Sequence, residues 1–474
     1  MLIRETYRPE TLFRSLGPEF ADPVRPAVFP MTVPRFVNHR VLGRLGLGLL
    51  DEAQILAHLG RLEPLPGAQP QPLAVRYHGH QFRTYNPDLG DGRGFLFAQL
   101  RETGTGRLSD LSTKGSGRTP YSRFGDGRLT LKGGVREVLA TAMLEALGVN
   151  TSHSVSLMET GEALERNDEP SPTRSAVLVR RTHGSIRFGG FQRHAFHDRA
   201  DLVGQLTGHV LAVYQPDLVD APDPGAALMN RVVEQSATLV AGWMAAGFVH
   251  GVLNTDNMNI NGESFDYGPY RFLPFNDPTF VAAYFDQNGL YAFGRQPEAV
   301  YWNLRQLAGC LLLISEETGL AAALERFPDL YREALRRAMV RRLGVRGADV
   351  PAEQALVSAA FRALAAGGAA LRWEPFFHDW FGGAASADRA LQGPRGALYR
   401  EAAFKEFRTL VLDFEPDRPA RLDSPVFARS EPEELLYDEI ESLWAAIAER
   451  DDWSPLNAKL DRLEATRRAY GVCA

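Results

Sequence analysis

Near residue 200 the chain changes periodicity, and that change constrains its fold class. From 71 to about 190, short apolar runs such as Gly94 to Leu100, Leu111 to Lys114 and Ser175 to Val179 are divided by Gly, Asp and Ser, the pattern of strands and turns. One helix interrupts them over Gly134 to Leu147, with Val135, Leu139 and Met143 on one stripe and Gly148 placed to stop it. Beyond 200 the apolar residues recur at helical spacing over Ala200 to Tyr214, Ala226 to Ala246 and Ala299 to Glu317, and helices continue to the C-terminus. The Ala/Gly-rich stretch Ala365 to Ala370 reads as a loop. Strands gathered in one part and helices in the other predict an α+β chain. The expected division is a wrapping segment over 1–70, a strand-rich unit over 71–195 and a helical unit over 196–474.

Charge and cysteine content narrow the function classes. A net charge of −6 leaves no basic excess to neutralise a phosphate backbone, so nucleic acid is not an expected partner. Cys310 and Cys473 are too few for a disulfide framework or a four-ligand zinc site. Apolar stretches such as Leu307 to Ile314 are too short to span a membrane, and Met1 to Pro9 lacks the apolar run of a secretory signal. A cytoplasmic protein is expected. Its lysines are Lys114, Lys132, Lys405 and Lys459, which gives each one weight against the abundant arginines.

The run from Phe248 to Pro269 carries the most chemistry. Asn261-Gly262 predicts a type I′ hairpin that returns Asp266 to the neighbourhood of Asp256 and Asn257. A carboxylate and an amide oxygen converging at a turn suit Mg²⁺, which is held by few side chains plus substrate phosphates. In kinases a catalytic loop bearing an Asp and a metal-binding Asn precedes a second metal-binding Asp of a D-F-G string. His250, Gly251 and Asn257 fall on that spacing and Asp266-Tyr267-Gly268 replaces D-F-G, but Val252 occupies the position of the usual base. Asp256 is the substitute within the loop. An isolated N-x-D-N ordinarily serves only turn hydrogen bonds; its combination with His250 and Asp266 points to catalysis.

The first half supplies candidates for the phosphate side. Lys114 ends a strand-like stretch, and Glu137 lies on the 134–147 helix at about 200° from Val135, off the apolar stripe and free to face a cleft. A strand lysine held by a helix glutamate is the kinase device for gripping phosphates. Gly-Asp-Gly-Arg occurs at Gly90 to Arg93 and again at Gly125 to Arg128, where glycines admit a phosphate to the backbone and arginine adds a bidentate contact. Arg180 and Arg187 flank a loop containing Gly184. His78, His80 and His183 have no metal-ligand spacing.

In order along the chain stand His78-Gly79-His80-Gln81-Phe82, Leu89-Gly90-Asp91-Gly92-Arg93, Lys114-Gly115-Ser116-Gly117, Thr119-Pro120-Tyr121-Ser122-Arg123, Gly125-Asp126-Gly127-Arg128, Arg136-Glu137, Ile186-Arg187-Phe188-Gly189, Asn254-Thr255-Asp256-Asn257-Met258, Asp266-Tyr267-Gly268-Pro269 and Trp302-Asn303-Leu304. Together they resemble the selenoprotein O family, the YdiU-type protein adenylyltransferases once regarded as pseudokinases. The resemblance implies a two-lobed, protein-kinase-like fold, with a strand-rich N-lobe carrying one main helix and a mainly helical C-lobe whose catalytic loop spans 250–269. It implies ATP bound in a flipped orientation with Mg²⁺ or Mn²⁺, and AMP passed to Ser, Thr or Tyr hydroxyls of protein substrates with release of pyrophosphate. Carried over to this sequence, Gly90, Gly92, Arg93, Lys114, Asp126, Gly127, Arg180, Arg187 and Asp266 contact the nucleotide. Glu137 holds Lys114, Asp256 is the base, and Asn257 and Asp266 bind the metal.

The sequence departs from the family at Arg83, where the family has Gly, at Gly184-Ser185 in place of Ser-His, and at Ala282-Ala283-Tyr284-Phe285 in place of Cys-Asn-His-Ser. With Cys473 alone near the C-terminus, no redox link between that tail and the 282 region is expected. Two other readings stay open on the residues alone: a kinase moving the γ-phosphate with Asp256 as a displaced base, and a non-catalytic nucleotide-binding scaffold. Val252 weighs against the first; intact Lys114, Glu137, Asn257 and Asp266 weigh against the second.

Overall fold

The structure, a computed structural model, describes residues 6–472, so Cys473 lies outside the described residues. Eleven strands precede residue 183: β1 (Pro9–Glu10), β2 (Ala21–Pro23), β3 (Val33–Val37), β4 (Leu73–Val75), the short hairpin β5 (Gly79–Gln81) and β6 (Thr84–Asn86), β7 (Leu96–Arg101), β8 (Leu108–Lys114), β9 (Leu129–Thr130), β10 (His153–Leu164) and β11 (Thr173–Thr182). Apart from β5 and β6, which pair with each other, they form one antiparallel sheet in the order β2-β4-β7-β8-β11-β10-β3, with β1 beside β7 and β9 beside β11. Within the sheet lie α1 (His39–Arg44), α2 (Glu52–Ile55) and α3 (Leu131–Ala146) along the chain; after it come α4 (Phe188–Phe196), α5 (Ala200–Tyr214), α6 (Pro224–Ala245) and α7 (Gln296–Leu311), then further helices as far as Ala469. The chain is thus a mixed α/β protein with its sheet in the first half and helices dominating the second.

Strand period two sorts the side chains of β8 and β11 onto two faces. Val177 and Val179 join Leu111, Phe97 and the apolar residues of the first 70, including Val41, Leu42, Leu45 and Leu59, in one core. Ala176 and Leu178 face the other way, onto Leu131, Val135, Val138 and Leu139 of α3. Arg180 and Thr182 lie on this second face, opposite Ser112 and Asp110 of β8, and Lys114 is opposite Leu178. The register therefore aligns Lys114 and Arg180 on one wall beside α3.

Local chemistry sets the helix bounds. Thr130 caps α3 by accepting from the Gly133 amide at 3.1 Å, and Gly148, at φ 75°, ends it. Asp223 caps α6 in the same way, with Pro224 in the first helical position. Two expectations are corrected. The helix expected over Ala299 to Glu317 stops at Leu311, because Ser315 turns back to Asp223 and a new helix begins at Glu317. Ala365 to Ala370 is largely helix: Val350–Gly367 continues through it, since alanine favours a helix and Ala363 and Leu364 are buried, before a 3₁₀ turn over Gly368–Ala370. Among the described residues no helix is long and apolar enough to cross a membrane.

Candidate active site

Phe248–Val249 pairs antiparallel with Arg271–Phe272, closing the ends of the loop that carries the Asp and Asn residues. Inside it the expected Asn261-Gly262 hairpin does not form. Gly262 takes a positive φ of 63° but Asn261 does not, so a type I′ turn is ruled out. Asn261 is instead a buried anchor: its amide donates to the His183 carbonyl at 2.5 Å, and its backbone N–H bonds the Asn259 side chain at 2.8 Å in an Asx turn. The flanking residues pair elsewhere, Asn259 with Arg187 and Ser264 with Thr151. The reversal survives in another form, and Asp256 and Asp266 line the same cavity.

That cavity, of about 750 Å³, also receives Gly90, Gly92, Arg93, Lys114, Asp126, Gly127, Arg180 and Arg187. Both Gly-Asp-Gly-Arg strings reach it. The first packs closely on the turn that leads into the second: a Cβ on Gly90 would lie 2.3 Å from the Tyr121 ring, so a side chain there would force that ring to shift. Of the candidate residues, Glu137 and Asn257 do not line the cavity. Glu137 is buried behind it and ion-pairs with the Lys114 ammonium, which also contacts Asp266. Asn257 donates its side-chain amide to the Val252 carbonyl at 3.0 Å.

Electrostatics differ sharply among these groups. Burial works against the Asp266 carboxylate, but Lys114, Arg180, Arg187 and Arg93 outweigh it and hold Asp266 well below the usual carboxylate range. Asp256 lacks an equivalent partner: burial pushes it up to about 6, Arg187 only partly opposes this, and its Oδ1 is buried without a hydrogen bond. Arg187 is locked by the Asp256 carbonyl at 2.9 Å, by Asp91 at 3.3 Å and by the rings of Tyr77 and Phe265. Arg180 also lies over Phe265, 3.8 Å from Asp266, and its buried Nε and one terminal nitrogen lack hydrogen-bond partners. Buried cationic donors left open are costly unless a ligand brings acceptors. The wall is thus built for an anion.

Several contacts that hold the site together escaped the sequence reading. The His78 to Phe82 string clamps the loop: the His80 N–H donates to the Thr255 hydroxyl at 2.7 Å and the Phe82 N–H to Asn254 Oδ1 at 3.0 Å. Thr255 in turn donates to Gln192 of α4 at 2.5 Å. Gly79 permits the approach, since a Cβ there would lie 3.1 Å from Asp256 Oδ1. Buried His250 reaches the Phe265 carbonyl at 3.1 Å, next to Asp266, whose φ of 66° is left-handed. A glycine between two histidines was the available signal for the clamp; nothing in the spacing tied it to Thr255.

Comparison with known proteins agrees with this arrangement. The family model described as "Protein adenylyltransferase SelO" matches residues 2–464. The chain is 41% identical over 483 residues to the protein nucleotidyltransferase YdiU of Synechocystis sp., covering 97% of this chain and 98% of that protein. It is 43% identical over 473 residues to the YdiU of Synechococcus elongatus, covering 96% and 94%. With the YdiU of Gloeobacter violaceus it shares 43% identity over 479 residues, 98% of this chain and 95% of that protein. Matches of this extent show that the chain belongs to the SelO family of protein adenylyltransferases.

Proposed function

We propose that this enzyme transfers AMP from ATP to Ser, Thr or Tyr hydroxyls of proteins, with pyrophosphate as the leaving group, on a two-lobed, kinase-like framework of strand-rich and helical parts. The observation that carries the reading is the inner wall of the cavity, where Lys114, Arg180 and Arg187 converge on Asp266 while Asp256 stays unpaired. Attack by the acceptor oxygen forms a new bond to the α-phosphorus and breaks the α,β-bridging P–O bond. The hydroxyl proton passes to Asp256, and the electron pair of the broken bond leaves on pyrophosphate. Lys114, Arg180 and Arg187 are placed to offset the charge that develops there. Glu137 fixes Lys114, and Gly90, Gly92, Arg93, Asp126 and Gly127 bound the nucleotide nearer the mouth.

Among the described residues no group of three or more His, Cys, Asp or Glu side chains stands together as a metal site. The reading gives the metal to Asp266, which lines the cavity, and to Asn257 from outside that lining, its side-chain oxygen being the atom left to donate because its amide nitrogen is committed to Val252. Such a donor set fits Mg²⁺ or Mn²⁺ sharing its shell with phosphate oxygens and water, not a cation caged by protein alone. Bound there, the ion supplies positive charge to the phosphates.

Val252 at the usual base position weighs against an orthodox γ-phosphate transfer. Incubation with ATP labelled at either end tests the AMP-transfer reading: label from the α-phosphate is expected on protein acceptors, and transfer from the γ-phosphate alone would overturn it.

A further inference from the structure

Phe124 is the most exposed large apolar residue of those described, as open to solvent as a free reference residue (105%), and it lies on the cavity wall. A single exposed phenylalanine needs no explanation in itself. The surroundings of this one do. It stands at the tip of a turn that is tightly held: the Gly125 N–H bonds the Ser122 carbonyl at 2.7 Å, the Thr119 N–H bonds Ser122 Oγ at 2.8 Å, and Ser122 donates to the Gly92 carbonyl at 2.5 Å. Tyr121 is fastened to Asp22. Arg123, just before Phe124, adopts a left-handed φ of 52°, a conformation that costs energy in a residue with a side chain. A fixed and locally strained turn therefore presents the ring to solvent.

The cavity itself indicates what covers that ring. Its cations are deepest, with Lys114 5% and Arg180 6% exposed, so a nucleoside triphosphate enters phosphates first. The same inner part is lined by Ser112, Thr182 and Ser185, with Ser112 and Ser185 sharing a hydrogen bond at 3.0 Å and Asp110 beneath them. The aliphatic lining residue Leu89 is itself buried and presents little surface to a base. The other aromatic faces of the cavity are occupied: Arg187 covers Tyr77, Arg180 and Arg187 cover Phe265, and the Tyr121 ring abuts Gly90. Phe95 is buried. Phe124 is the ring left uncovered.

We propose that Phe124 stacks on the nucleobase of the bound nucleoside triphosphate and so sets the preference for a purine, an inference that rests on the nucleotide reading given above. Stacking of a base on an aromatic side chain is sensitive to alanine substitution and tolerant of base identity, while the larger purine face gains more from it. The residue acts on binding and lies away from the proton transfer.

The test is calorimetric titration of the wild-type enzyme, Phe124→Ala and Phe124→Tyr with ATP, UTP and inorganic tripolyphosphate, each with Mg²⁺. Phe124→Ala is expected to weaken ATP binding about tenfold, to narrow the gap between ATP and UTP, and to leave tripolyphosphate affinity unchanged; Phe124→Tyr restores ATP affinity. An equal loss for ATP and tripolyphosphate would overturn the proposal, because the residue would then act through the loop. Unchanged ATP affinity in Phe124→Ala would overturn it as well. Failure of the wild-type enzyme to bind either ATP or tripolyphosphate would remove the nucleotide reading and this inference with it, an outcome separate from the other two.

Discussion

At the inner end of the cavity Lys114 and Arg180 are buried on neighbouring strands, with Glu137 of α3 holding Lys114 from behind, whereas at the mouth Arg93, Phe124 and Asp126 stand exposed on turns. The inner end holds charges in low dielectric, where each interaction is strong and each unmatched group is costly. At the mouth, the pair between Arg166 and Asp126 is partly open to water and screened. Chemistry that needs large electrostatic effects belongs at the first location, and recognition by adjustable contacts at the second. The same substitution type should therefore have unequal consequences at the two ends.

Lys114→Ala gives the largest expected effect. It removes a phosphate ligand and strands the Glu137 carboxylate, so turnover and nucleotide binding are lost and stability falls by about 3 to 5 kcal/mol. Thermal unfolding of Lys114→Ala and of the double variant with Glu137→Gln separates the two losses: the second change should recover stability and leave activity absent. Recovery of activity would mean that Lys114 only neutralises Glu137.

Glu263, in the turn behind the inner end, tests the low dielectric directly. Burial raises its carboxyl to about 7, because Arg181, at 3.7 Å, offsets this only in part. A folded-state value above the unfolded one means that its contribution is fully present below about pH 4.5 and is lost as pH rises through about 7. Glu263→Gln should flatten the decline of stability from pH 5 to 8, relative to wild type, by on the order of 2 to 3 kcal/mol. Parallel stability curves for the two proteins would contradict the expected burial cost.

Thr255→Val keeps the side chain's shape but breaks the clamp to His80 and Gln192, leaving buried polar groups unsatisfied at a cost of about 1 to 3 kcal/mol. Turnover should fall with little change in ATP affinity, as Asp256 loses its fixed position. At the mouth, Arg166→Ala should change stability by less than about 1 kcal/mol and ATP affinity by no more than a few fold. An Arg166 effect as large as that of Lys114 would erase the distinction between the two ends.

The strands, α3 and the main helices were legible because their apolar periodicity coincides with burial: Val135, Leu139 and Met143 form the stripe that packs on the sheet. Lys114 and Glu137 could be singled out by their types and spacing, but their pairing depends on the register of β8 against β11 and on the angle of α3, which no local pattern encodes. The Asn261-Gly262 reading failed for a related reason. Its dipeptide favours an exposed hairpin, and tertiary contacts with His183 and Gln215 turned Asn261 inward. The clamp from His78 to Phe82 was recognisable as a string and not as a function, since its partners lie more than 170 residues away.

The central claim is that two carboxylates in one cavity divide the labour, Asp266 holding metal and nucleotide and Asp256 accepting the proton. Calorimetry and single-turnover kinetics on Asp256→Asn and Asp266→Ala test this division most directly. Asp256→Asn should keep ATP affinity with Mg²⁺ within a few fold while the chemical step slows by roughly 10² to 10⁴, and Asp266→Ala should lose both. If Asp256→Asn loses nucleotide affinity as severely as Asp266→Ala, Asp256 belongs to the metal or phosphate shell and the proton must go elsewhere.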